Sequence, residues 1–194
     1  VEKMKTKLLW VVLFFMPTLV FGVDAKVNWK LEKSEITYTV THPLHIVRGK
    51  SLSARGEGLR GTDGVWKFLV AVPVKTFDSG DNNRDLHMQE VTRAGLFPLI
   101  TVRVQASRIT DSQAPQPIVA DVDIEFAGQK AEYPQIPLQV LDWKDGRVHM
   151  MGTLPLTLKD FKIIPPSLLT LPVQNEVPVK LDMWWSRSKN DVTH

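Results

Sequence analysis

The chain has 194 residues, 43% hydrophobic and 23% charged, which is the length and composition of one ordinary globular domain. Its 24 Lys+Arg and 21 Asp+Glu leave a formal charge of +3 spread along the sequence, without the dense basic stripe of a nucleic-acid binder. The absence of cysteine excludes disulfide frameworks, thiolate catalysis, cysteine zinc sites and lipid attachment through an N-terminal cysteine.

Lys5 and Lys7 precede an apolar stretch from Leu8 to Phe21, broken only by Pro17 and Thr18. A basic start, an apolar middle and a small-residue exit are the parts of a secretory signal peptide, and the apolar run is shorter than the roughly 20 residues of a bilayer span. Cleavage fits after Gly22 or after Ala25, the second being preferred. The expectation is a signal peptide over residues 1–25, one domain over 26–194, export to the periplasm and no stable membrane span after cleavage.

Alternation then dominates. Ile36, Tyr38 and Val40 alternate with Thr37, Thr39 and Thr41, a strand with one dry face. A strand is expected over residues 46–60, and after the turn at Gly61–Gly64 the apolar positions Trp66, Phe68, Val70 and Val72 share one face. Asp81 or Asn82 as N-cap, with Asp85 in the first turn, predicts a short helix near residues 82–91 that ends before Gly95. Ile100, Val102 and Val104 resume the alternation, followed by Ile118, Ala120, Val122, Ile124 and Phe126, then Ile136, Leu138 and Val140. Asp145-Gly146 marks a hairpin into Val148, Met150, Gly152, Leu154 and Leu156, and Val177 to Trp185 supply the last strand. About eight strands suit a closed barrel or a sandwich.

The chemistry-bearing residues have ordinary alternatives. His42 and His45, on which His87 and His149 would have to converge for a metal site, are separated by Pro43-Leu44 and by a spacing that puts strand residues on opposite faces, which disfavours one. Asp78, Asp85 and His87 suit an acid/base group but equally a helix start, and no Gly-x-Ser-x-Gly or Ser-x-x-Lys signature accompanies them. The basic set Arg48, Lys50, Arg55 and Arg60 suits anionic lipid or phosphate, or a solvated face. The inward parity collects large side chains, and such a barrel either fills itself or holds an apolar ligand.

The sequence resembles the YceI family of secreted lipid-binding barrels. Ile36 to His42 followed by Val47-Arg48-Gly49 is similar to that family's opening strand, its histidine and its later glycine. Asp78-Ser79-Gly80 with Arg84-Asp85-Leu86-His87-Met88 resembles its Asp-Thr-Gly and Arg-Asp-x-His-Leu segment, and Phe97-Pro98-Leu99-Ile100-Thr101 its Tyr-Pro-x-Ile-Thr. Asp160-Phe161-Lys162-Ile163 and the strand from Val177 resemble its closing elements. Lys50-Ser51, where an aromatic often follows Gly49, and the Pro165-Pro166 loop depart from the pattern at the pocket mouth.

The resemblance implies a lipocalin-like closed antiparallel barrel of about eight strands with a short helix, holding a long isoprenoid or fatty chain, with no enzyme activity, metal or cofactor. Strand parity assigns the lining to Tyr38, Val40, Trp66, Phe68, Ile100, Val102, Val122, Ile124, Phe126, Leu138, Met150, Leu154 and Leu181. The family-motif residues are His42, Gly49, Asp78, Gly80, Arg84, Asp85, His87, Pro98 and Phe161. The leading expectation is a periplasmic carrier for a long-chain apolar lipid such as a polyisoprenoid, an isoprenoid quinone or a fatty-acid derivative, with a homodimer left open. The competing readings are a barrel enzyme using His87 with Asp85 or Asp78, an outer-membrane barrel, and an interaction protein with a filled core.

Overall fold

The computed structural model describes residues 27–107, 109–110, 114–168 and 170–188, so the expected signal segment lies outside the described residues. β1 (Val27–His42) pairs along one edge with β11 (Glu176–Arg187). Its other edge is shared, first by β3 (Arg55–Arg60) and then by β2 (His45–Ser51). β4 (Val65–Pro73), β5 (Leu99–Ser107), β6 (Gln116–Phe126), β7 (Gln129–Lys144) and β8 (Arg147–Thr157) follow as antiparallel neighbours, and β8 meets β11. The β1–β11 pairing closes an eight-stranded antiparallel barrel, which leaves the long strands no open edge.

The strand expected over residues 46–60 is two strands with a corner at 52–54. Thr76 Oγ1 donates to the Pro73 carbonyl, so the Ser51 hydroxyl donates to Thr76 at 2.7 Å while accepting from the Ser53 N–H. That buried serine lets β1 keep a partner through the bend. The turn at Asp145-Gly146 and its counterpart at Ala127-Gly128 both have positive φ at two successive residues, the twist that joins adjacent strands of a right-twisted sheet.

The two ends of the barrel differ. At the β1 start, Trp29, Trp66 and Trp143 pack edge to face or tilted with centroids 5.3–5.7 Å apart, and Phe68 bridges from Trp66 to Trp185. This aromatic plug fills that end, and Trp66 is fully buried. The opposite end carries the β1–β2 turn, helix α1 (Asn82–Val91) and a strap over residues 158–175. The strap contains a 3₁₀ turn (Lys159–Phe161) and the small hairpin β9 (Ser167–Leu168) and β10 (Leu171–Pro172). Phe161 is buried against Phe126, and the Tyr133 hydroxyl donates to Asp160 at 2.7 Å, fixing the strap to β7.

Candidate functional site

Between the plug and the strap lies a cavity of about 580 Å³, within the range of small-molecule sites. Tyr38, Val40, Phe68, Ile100, Val102, Ile124, Phe126, Leu138, Met150, Leu154 and Leu181 line it, as strand parity assigns. Val102, Leu138 and Leu181 point inward yet remain partly accessible, so the middle of the barrel is hollow and not packed to the centre. Two assigned residues fall elsewhere. Trp66 belongs to the plug, and Val122 is buried on the inward face without lining the cavity. Parity marks the inward face but not which inward residues meet the hollow and which are covered by their neighbours.

The lining also includes Met88 and Val91 of α1, with Arg84 and His87 beside them. These positions are three, four and seven residues apart and so share one helix face, the sequence signal that would have found them. The helix starts because Asp81 accepts from the Arg84 N–H at 3.0 Å, and this backbone bond holds the Asp81 carboxyl below the usual carboxylate range. Asp85 accepts from the Ser79 hydroxyl and N–H, while the Arg84 guanidinium donates to Ser79 Oγ at 2.8 Å and to its carbonyl at 2.7 Å. Asp78 accepts from the Gly80 N–H at 2.7 Å, and Gly80 takes φ +81°. The Asp-Ser-Gly and Arg-Asp residues thus lock the loop that seats α1 at the mouth.

His42 and His45 form the last residue pair of the β1–β2 hairpin, and their rings lie 5.0 Å apart. This corrects the expectation from spacing: a tight turn over Pro43-Leu44 reverses the chain and brings them together. His42 accepts from the Leu44 N–H at Nδ1, which puts its proton on Nε2, where it donates to the Leu171 carbonyl at 3.0 Å. The Gln174 N–H donates to the Thr41 carbonyl beside it, so His42 ties the strap to the hairpin. Among the described residues no group of three His, Asp or Glu could hold a metal ion. His149 lies on the outer wall, 2.8 Å from Asp182 and stacked on Trp184 at 4.1 Å, and does not approach the other histidines.

Gly49 passes under the Tyr38 ring, and the Pro98 carbonyl accepts from Val74 N–H at 2.9 Å. Phe161 closes the cavity under the strap. His87 stands at the mouth 3.7 Å from Glu90, whereas Asp85 is engaged by Ser79, so His87, Asp85 and Asp78 do not converge as an acid/base group. Among the described residues every ionisable lining side chain, namely Tyr38, His42, His45, Arg84 and His87, sits toward the open end, and no carboxylate joins them. Burial, and then the nearby Asp85 charge, push the Tyr38 phenol above its usual pKa.

A family model described as a YceI-like domain matches residues 28–184. A solved polyisoprenoid binding domain from Saccharophagus degradans, implicated in plant cell wall breakdown, superposes with a TM-score of 0.66 at 13% identity, covering 82% of this chain and 98% of that one. BcnA from Burkholderia cenocepacia superposes with a TM-score of 0.64 at 15% identity, covering 78% of this chain and 95% of that one. At such identities the two structures show a shared fold. No curated protein matches.

Proposed function

We propose that this chain, which belongs to the YceI-like domain family, is a periplasmic carrier that holds one long-chain apolar lipid inside its barrel. The observation that carries the reading is the cavity itself: about 580 Å³, apolar through its depth, plugged at one end and open beneath the strap at the other. Burying an alkyl or prenyl chain against such walls contributes roughly 25 cal/mol per Å², without directional bonds, so selection is by length and shape. A polyisoprenoid, an isoprenoid quinone or a fatty-acid derivative fits that chemistry, and the likeness to a named polyisoprenoid binding domain favours the first. The head group lies at the mouth, where the ionisable lining side chains among the described residues gather. The basic start and short apolar run before Lys26 support export.

Organic extraction of the protein purified from its native host, followed by mass spectrometry, tests the reading. A defined long-chain species in near-stoichiometric amount is the expected result. An empty barrel that also refuses prenyl alcohols and fatty acids in vitro would remove the carrier function.

A further inference from the structure

Leu44 and Ile46 occupy the β1–β2 tip beside the mouth and are 62% and 54% exposed. Leu171 and Ile164 of the strap, also exposed, belong to the same end. Behind the tip the outer face turns cationic. Arg48 and Lys50 follow Ile46 on alternate β2 positions, and Lys180 of β11 shares a cross-strand row with Lys50 through Thr37. At about 3.3 Å per strand residue, Arg48 lies about 7 Å and Lys50 about 13 Å behind Ile46. The remaining outward residues of the hairpin arms are Thr37, Thr39 and Thr41, and the acidic pair Glu35 and Asp182 comes only one row beyond Lys180. Nearer the mouth Glu176 of β11 is the one outward carboxylate on these strands, and Asp78, whose backbone pairs with Lys50 along the other edge of β2, adds an exposed one that accepts from the Gly80 N–H.

We propose that this hairpin docks the barrel mouth-first on an anionic lipid surface, with Leu44 and Ile46 in the acyl boundary and Arg48, Lys50 and Lys180 at phosphate level. The spacing matches an interfacial anchor, whose apolar groups sink about 5–10 Å while cations stay among the head groups. A second copy of the chain suits the face less well, because a two-fold contact through it would set the same cations against each other. The inference rests on the carrier reading, since docking there brings the cavity opening against the bilayer that supplies the lipid.

Co-sedimentation of the purified protein with phosphatidylcholine vesicles, with and without phosphatidylglycerol, tests it, alongside uptake of free farnesol read by tryptophan fluorescence. The protein is expected to pellet only with the phosphatidylglycerol vesicles. The pairs Arg48→Glu with Lys50→Glu and Leu44→Ser with Ile46→Ser should each weaken pelleting at least about tenfold while farnesol uptake persists. Reversing Lys67 and Arg103, exposed on the β4–β5 wall, should leave both readouts unchanged. The charge pair lies on a solvated face, so it keeps the test valid if the apolar pair fails to fold. Farnesol uptake without vesicle binding, equal binding to both vesicle types, or a dimer abolished by Ile46→Ser in place of vesicle binding would each overturn docking. Vesicle binding without farnesol uptake would instead overturn the carrier reading on which the inference depends.

Discussion

A methyl group added at position 49 would stand 2.5 Å from two carbons and the hydroxyl of the Tyr38 ring, which packs against Phe77 with ring centroids 5.5 Å apart. Gly49→Ala should therefore lower stability by about 1–3 kcal/mol, the usual cost of overpacking, measured by denaturant unfolding. Gly95→Ala is the matched control, because nothing lies within 4 Å of the added carbon, and its midpoint should stay put. The Tyr133 hydroxyl is the main cause holding the Asp160 carboxyl below its usual pKa. A carboxylate depressed on folding contributes stability that is present above its unfolded pKa of about 4 and is lost as pH falls through the folded value. Tyr133→Phe should cost about 0.5–1.5 kcal/mol at neutral pH, and the gap from the parent protein should narrow in acid below about pH 4. Thermal unfolding across that range checks both signs.

At the scale of elements, α1 has no buried residue of its own and depends on the loop before it. Removing the Asp85 carboxylate deprives the Ser79 hydroxyl and N–H of their acceptor, so Asp85→Ala should cost about 1–2 kcal/mol and raise amide exchange from Phe77 through Thr92. His87→Ala, at an exposed position with one distant ion-pair partner, should stay within about 0.5 kcal/mol. The helix was legible in the sequence because a capping aspartate and a glycine turn are local signals. The strands were legible for the same reason, as period-two alternation within each. What the pattern hid was where parity changes. Inward residues are Trp29 and Leu31 early in β1 but Ser34, Ile36 and Tyr38 later, because a bulge between Leu31 and Lys33 slips the β11 register. β7 does likewise around Gln135, which takes φ +57° and whose N–H donates to Asp121. Such bulges are set by the partner strand, which no single segment reports. The meeting of His42 with Leu171 and the depth of Trp66 in the plug are likewise consequences of closure.

For the whole molecule, the hollow middle separates binding from folding. Val102→Trp adds volume to a wall residue that faces open space, so it should reduce uptake of a farnesol-length probe by at least about tenfold while leaving stability within about 1 kcal/mol. Calorimetric titration and thermal melting measure the two effects separately. A loss of several kcal/mol would mean that the centre is packed after all. The closed end has a kinetic consequence of its own. A tube blocked by Trp29, Trp66 and Trp143 has one doorway for arrival and departure, so a chain lodged inside bars its own replacement and must withdraw along its full length before another can follow. Exchange should then proceed at a rate independent of competitor concentration and slow with each added unit of chain, which makes residence time, more than affinity, the quantity that this barrel measures out.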